Sequence, residues 1–82
     1  MEKAVALVEY VARELATKRE SVALEVQQDD EGAKIQLRVH PEDLGRFIGR
    51  NGRTINALRT LAAAAAGRNG MKATVEVESA GQ

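Results

Sequence analysis

One nine-residue stretch decides how this sequence is interpreted: Phe47-Ile48-Gly49-Arg50-Asn51-Gly52-Arg53-Thr54-Ile55. It lies between two segments with helical periodicity, so two helices meet across its four central residues. Gly49 and Gly52 carry no Cβ, which lets the backbone turn sharply and approach another chain closely. The helix that follows presents unpaired N–H groups and the positive end of its dipole, and both suit a phosphate. The stretch therefore predicts a site that grips a nucleic-acid backbone.

Polar and apolar side chains around this loop predict two different contacts. The side chains predicted to meet phosphates lie in the loop and on either side of it: Arg46, Arg50, Asn51 and Arg53. Ile48 and Ile55 are predicted to edge an apolar groove that receives the bases of a single strand. Because aromatic residues are almost absent, base recognition would rest on aliphatic packing and hydrogen bonds.

The charge distribution fits an anionic partner, although the net charge is zero. Residues 1–43 carry ten acidic and six basic side chains, a net charge of −4. Residues 44–75 carry six basic side chains and no acidic one, a net charge of +6. A local basic face is enough to attract phosphates. A solvated basic face that balances an acidic one would give the same distribution, so charge alone leaves both interpretations open.

Hydrophobic periodicity predicts six elements along the 82 residues. Apolar residues spaced by three and four predict helices from the N-terminus to near Thr17, from Pro41 to Ile48, and from Arg53 to Gly67. Alternating apolar residues predict strands at 22–27, 34–39 and 71–78. The order α-β-β-α-α-β predicts an α+β two-layer sandwich, in which three helices cover one face of a three-stranded sheet. We assign residues 1–79 to a single domain and residues 80–82 to a disordered tail.

The same periodicity predicts which side chains are buried. The short helix should bury Leu44, Phe47 and Ile48, and the first strand should bury Val22, Leu24 and Val26. The long helix should bury Ile55, Leu58, Leu61, Ala62 and Ala65. Glu42 and Asp43 follow Pro41, where acidic residues suit the first turn of a helix.

The whole arrangement resembles the KH domain, whose hallmark is an apolar-Ile-Gly-x-x-Gly-x-x-Ile signature between two helices. Here the signature reads Phe47-Ile48-Gly49-x-x-Gly52-x-x-Ile55, and the element order resembles the type II arrangement. Over essentially its whole length the chain is similar to the small bacterial KhpA family. That resemblance implies a single-stranded RNA-binding protein, acting as an RNA chaperone or post-transcriptional regulator, whose loop clamps four backbone nucleotides. It also implies a homodimer or a heteromer with a larger KH protein of the KhpB (Jag/EloR) type.

Two alternatives without this mechanism stay open at the level of sequence. The same two helices could form a helix-turn-helix that reads double-stranded DNA through Arg53, Asn56 and Thr60. The basic face could instead meet an acidic protein, with no nucleic acid involved. A preference for single strands over duplexes would exclude the first alternative, and salt-dependent binding of nucleic acid would exclude the second.

The composition favours binding over catalysis. The chain has no cysteine, and His40 is its single histidine, so neither a metal site nor a cofactor is expected. No nucleophile and base are placed as an active site would need, so we expect neither an enzyme nor a small-molecule substrate. No apolar run approaches the ~20 residues that span a bilayer, and no signal peptide is recognisable. The expected location is the cytoplasm, away from membranes.

Overall fold

The chain is described by a computed structural model over residues 1–68 and 70–80. Within these ranges it forms three helices and three strands in the predicted order, which confirms the α+β class. Their bounds are α1 Glu2–Leu15, β1 Ala23–Gln28, β2 Gly32–Val39, α2 Leu44–Ile48, α3 Arg53–Gly67 and β3 Lys72–Ser79. Short 3-10 turns precede β1, α2 and α3. Of the predicted tail at 80–82, Gly81 and Gln82 lie outside the described residues.

The sheet has the order β1-β2-β3, with β2 in the centre. β1 pairs with β2 in antiparallel register, and β2 pairs with β3 in parallel register. The β1–β2 turn is held by Asp29, whose carboxylate accepts hydrogen bonds from the N–H groups of Glu31 and Gly32 at 2.8 and 3.0 Å. A parallel pair needs a long crossover, and here α2, the glycine loop and α3 form it. The candidate site is therefore part of the connection between two neighbouring strands.

The core lies between the sheet and the helices. The central strand contributes Ile35, Leu37 and Val39, which are fully buried. Alanines make up much of the helical side of the core, and they let α1 and α3 approach the sheet closely. The buried helical residues are Ala4, Val8, Ala12, Phe47, Ile55, Leu58, Ala62 and Ala66. Phe47 is the largest of these side chains, and its burial confirms the prediction that it belongs to the core.

Three apolar residues predicted to be buried are in fact exposed. Leu61 is 43% exposed because positions 58, 62 and 66 of α3 face the sheet, which turns position 61 to the flank of the helix. For the same reason Ala66, and not Ala65, continues the buried stripe. Val26 lies on the edge strand β1, where the helices give little cover. Ile48 ends α2 beside the glycine loop and is 41% exposed.

Asp43 has a structural role that the sequence did not reveal. Its side chain is only 1% exposed and reaches back to the segment that follows α1. One carboxylate oxygen accepts hydrogen bonds from the N–H groups of Lys18 and Thr17 at 2.9 and 3.1 Å, and the other accepts from the Thr17 hydroxyl at 2.7 Å. α1 ends at Leu15, short of the predicted Thr17. Asp43 connects the segment that follows α1 to the start of α2 through these hydrogen bonds.

These hydrogen bonds make the stability of the domain depend on pH in acid. The N–H of Lys18 and the hydroxyl of Thr17 lower the pKa of Asp43 from its ordinary value of 3.8. A carboxylate whose pKa is lowered by folding stabilises the fold above its unfolded pKa and loses that contribution as the pH falls through its folded pKa. We therefore expect the wild type to have a larger free energy of unfolding than Asp43→Asn, by an amount that is constant above about pH 5. This difference should shrink below about pH 4, in urea titrations across the pH series.

The neighbouring substitution Glu42→Gln is the control, because Glu42 is exposed and its side chain makes no hydrogen bond within the described residues. A difference between the wild type and Asp43→Asn that stays the same from neutral pH to pH 3 would contradict this role of the carboxylate.

Candidate nucleic-acid interface

The glycine loop is built from three residues with positive φ. Gly49 has φ 74° and ψ 174°, Asn51 has φ 57° and ψ 27°, and Gly52 has φ 74° and ψ 18°. Asparagine is one of the few residues with a Cβ that tolerates the left-handed region. The N–H of Gly49 donates to the carbonyl of Gly45, and the N–H of Gly52 donates to the carbonyl of Gly49. The loop is thus a defined four-residue turn whose left-handed residues interrupt the helical backbone, which confirms the predicted break between two helices.

Gly49 is required by a close approach as well as by its φ. A Cβ at this position would lie 2.5 Å from the hydroxyl oxygen of Thr54 and 3.0 Å from its backbone nitrogen. Gly52 has more room, since a Cβ there would come no closer than 3.5 Å to the Asn56 side chain and 4.0 Å to Ile55. Thr54 thus fixes how the loop meets α3. Thr54 occupies a variable position of the Gly-x-x-Gly-x-x-Ile signature, and nothing in its spacing predicts this contact.

The predicted phosphate-contacting residues are all exposed: Arg46, Arg50, Asn51 and Arg53. Within the described residues, none of their three guanidinium groups lies within 4.0 Å of a carboxylate. Arg46 carries its charge near Asp43 and contributes weakly to lowering the pKa of that carboxyl. Around the loop, then, Arg50 and Arg53 hold positive charge at the surface without an ion-pair partner among the described residues.

The two predicted groove residues lie at different depths. Ile48 is exposed beside the loop and offers an apolar surface there. Ile55 is 6% exposed and belongs to the core, where it supports the first turn of α3 beneath Gly52. Of the two, Ile48 is the side chain that a bound molecule could contact directly.

The open face of the sheet contrasts with the loop, because its charges neutralise one another. Arg38 donates to Glu25 at 2.9 Å and to Glu78 at 2.8 Å, and Lys34 lies 3.4 Å from Glu76. The hydrogen bond to Glu78 and the charge of Glu25 raise the pKa of Arg38. Surface pairs of this kind add little stability, but they remove the net field of this face. An anion would meet a positive potential at the glycine loop and not here.

Other candidate sites show no such features. The single histidine, His40, accepts a hydrogen bond from the N–H of Glu42 through its Nδ1 and so caps the turn before α2. Across residues 1–68 and 70–80, no three His, Asp or Glu side chains are grouped as a metal site requires. No helix in the same ranges is long and apolar enough to cross a membrane.

The sheet, the three helices that cover one face of it, and the Gly-x-x-Gly turn between α2 and α3 define a KH domain with type II element order. The comparison with family models agrees: residues 5–77 match the family described as KhpA/KhpB, KH domain. The chain belongs to this family.

Individual relatives cover most of the chain. The RNA-binding protein KhpA of Clostridium perfringens is 39% identical over 71 residues, which are 87% of this chain and 95% of that protein. The RNA-binding protein KhpA of Borreliella burgdorferi is 33% identical over 73 residues, 89% of each chain. The protein of the same name from Streptomyces coelicolor is 51% identical over 47 residues, 57% of this chain and 60% of its own length. No solved structure matches the chain significantly.

Proposed function

We propose that this protein binds single-stranded RNA and holds its backbone at the Gly49–Gly52 loop. The observation that carries the proposal is the concentration of exposed arginines, none in an ion pair among the described residues, around a loop whose turn depends on glycine. Arg50 and Asn51 donate to phosphate oxygens, and Arg46 and Arg53 add positive charge on both sides. The neighbouring bases lie against Ile48, with Ile55 supporting the groove from below. The relatives that are named RNA-binding proteins support the choice of RNA.

The side chains of α3 favour a single strand over duplex DNA. Two of the three residues that would read a DNA groove are already engaged within the helix. The Asn56 side chain accepts a hydrogen bond from Arg59 at 3.0 Å, and the Thr60 hydroxyl donates to the carbonyl of Asn56 at 3.0 Å. A recognition helix needs such groups free to reach base edges. We therefore expect a labelled single-stranded RNA to be displaced by unlabelled single strands and not by a duplex of the same sequence.

The salt dependence of binding tests the mechanism directly. If the loop and its arginines neutralise about 3–4 phosphates, the logarithm of the association constant should fall against the logarithm of salt concentration with a slope of roughly −2 to −3. The slope is measured by fluorescence anisotropy, with a labelled single-stranded RNA titrated at KCl concentrations from roughly 50 to 300 mM. A slope near zero would contradict a backbone clamp, and absence of any binding would favour a protein partner for the basic face.

The exposed flank of α3 supports the proposed self-association. Leu61 lies over an apolar groove of about 380 Å³ between α1 and α3, lined also by Val11, Leu15 and Ala57. Ala57, Leu61 and Ala64 follow one another at helical spacing on the outside of α3, so a second helix could approach closely. A thin core also leaves stability to be gained by pairing. We propose that this face joins two copies, and that it is the face offered to a larger KhpB-type partner.

Leu61→Glu tests the pairing face. Placing a charge in an apolar interface should shift the protein from dimer to monomer at micromolar concentration, measured by sedimentation velocity. Val26→Glu is the control, because Val26 is a similarly exposed apolar residue at another surface. A Leu61→Glu protein that sediments like the wild type would exclude this face.

In the cell we place this activity in the bacterial cytoplasm, as a chaperone or post-transcriptional regulator of RNA. A binding loop with a small footprint suits broad contact with many transcripts. The role is that of a binding module and not of an enzyme.

A further inference from the structure

The outer side of β1 is a free sheet edge. Within the described residues β1 pairs with β2 alone, and the N–H of Asp29 donates to the carbonyl of Gly32 at 2.9 Å where the pair begins. Residues of an antiparallel strand direct their backbone groups alternately to the partner and to the other side. Counted from Asp29, the residues whose N–H and carbonyl groups point away from the sheet are Leu24, Val26 and Gln28.

An apolar groove lies beside this free edge. The groove has a volume of about 470 Å³ and runs between β1 and α1, and we call it the edge groove. Its apolar lining comes from Val26 on the strand and from Met1, Val5 and Ala6 on the helical side. Val26 is 38% exposed, so the groove is open to a partner. A free edge beside such a groove is what an extended peptide uses, since main-chain hydrogen bonds give affinity and alternate side chains enter the groove.

The edge groove is separate from the surfaces proposed above. α1 divides it from the pairing face, because Val5 lines the edge groove whereas Val11 and Leu15 line the groove beside α3. Arg53 and Thr54, which follow the glycine loop, also line the groove beside α3. A molecule in the edge groove therefore leaves the loop and the pairing face free.

Acidic side chains surround the edge groove. Glu2 and Glu9 line it, and Asp30 and Glu31 lie in the turn that ends β1. Glu2, Asp30 and Glu31 are exposed, and none of them is in an ion pair within the described residues. This field repels a phosphate backbone and attracts a cationic segment. A second copy of the chain would bring the same acidic edge, so like charges would oppose its pairing here.

We propose that β1 is a docking edge for an extended, cationic segment of another protein, which adds a fourth strand to the sheet. Side chains along the added strand alternate between the two faces of the sheet. Apolar side chains of the segment enter the edge groove beside Val26, and its basic side chains lie on the other face, near Glu25 and the acidic turn. The domain can then hold a protein at this edge independently of what its glycine loop binds.

The test uses two synthetic peptides, each labelled with fluorescein and about eight residues long, the length of an ordinary strand. One alternates lysine with valine, and the other alternates glutamate with valine, so both carry the same apolar side chains. We expect the wild type to bind the lysine peptide at least about tenfold more tightly than the glutamate peptide in anisotropy titrations. Equal binding of the two peptides, or binding of neither, overturns the proposal.

Two pairs of variants locate the binding. Val26→Pro removes an outward N–H and none that β2 uses, and it should weaken binding of the lysine peptide about fivefold. Val26→Thr keeps the N–H and the branched shape and is its control. Glu2→Lys should weaken binding at least about twofold, whereas Glu42→Lys makes the same change in charge beyond the far end of β2 and should not. Circular dichroism verifies that each variant is folded.

Hydrogen exchange of the wild type, followed by NMR, needs no variant. The lysine peptide should slow exchange at the outward amides of Leu24, Val26 and Gln28, and not at Arg50 or Asn51 in the loop. Exchange that stays unchanged at all three outward amides overturns the proposal, as does full binding by a folded Val26→Pro protein. RNA binding is measured separately, and Val26→Pro should keep it, so failure of the docking edge and failure of the RNA clamp are distinguishable.

Discussion

Arg50→Asp/Asn51→Asp is expected to weaken the binding of single-stranded RNA by at least about tenfold, because a hydrogen bond to a charged group contributes about 1.5–3 kcal/mol. The substitution removes the arginine donor and places two carboxylates where phosphate oxygens should lie. Both side chains are exposed, and neither makes a hydrogen bond or an ion pair within the described residues. Aspartate tolerates the left-handed conformation of position 51. The fold should therefore survive.

The control must carry the same change in charge at a distance from the loop. Arg68→Asp/Gln28→Asp does so, since it also lowers the net charge by three, on exposed residues. The 15-residue α3 separates Arg68 from the loop by about 22 Å. Gln28 lies at the same end of the domain, because Gln28 and Arg68 each line a groove together with Met1 and Glu2. Anisotropy at one salt concentration then separates a local effect from the effect of net charge. Equal loss in the two double variants would show that the overall field, and not the loop, controls binding.

Gly32→Ala is expected to destabilise the domain more than alanine at any other glycine that the structure describes. A Cβ at Gly32 would overlap the backbone of Lys72, the first residue of β3. A flexible side chain could move aside, but here the obstacle is the paired strand itself. Overpacking of this kind costs typically 1–3 kcal/mol and sometimes more. For a domain of this size, about 3 kcal/mol corresponds to a decrease in Tm of roughly 12–24 °C.

The matched control is Gly45→Ala, because a Cβ there meets nothing within 4 Å. Gly45 lies in α2, so alanine should stabilise the helix by up to about 1 kcal/mol. Differential scanning calorimetry of the two variants measures both effects. A Tm for Gly32→Ala within a few degrees of the wild type would mean that β2 and β3 are not as close at this point as the described register requires.

Much of the fold could be predicted from local patterns. Alternation along β2 and β3 and the helical stripe of α1 place most of the core, because one face of each element is buried. The glycine loop was also predictable, since Gly49 and Gly52 have few roles other than a sharp turn between helices. The element order followed from these patterns in turn.

The remaining features depend on contacts between residues that are distant in the sequence. Asp43 accepts hydrogen bonds from Thr17 and Lys18, and a carboxylate in a first helical turn gives no sign of such partners. The sequence shows Arg59 as one of the six basic residues in 44–75. Its hydrogen bond to the carbonyl of Val75 could not be predicted, because it forms only when α3 lies beside β3. Leu61 follows Leu58 at helical spacing, and only the rotation of α3 against the sheet shows that it is exposed.

The position of the glycine loop in the crossover between β2 and β3 has a consequence for protein synthesis. A ribosome produces the loop and α3 before it produces Lys72–Ser79. Until β3 pairs beside β2, Val75 is missing from the core and Arg59 has no edge to hold, so α3 is not fixed against a sheet. The support that β3 gives to α3, and through it to the glycine loop, is therefore completed only after β3 has been synthesised. The RNA binding that we propose for the loop would accordingly begin only once β3 is in place.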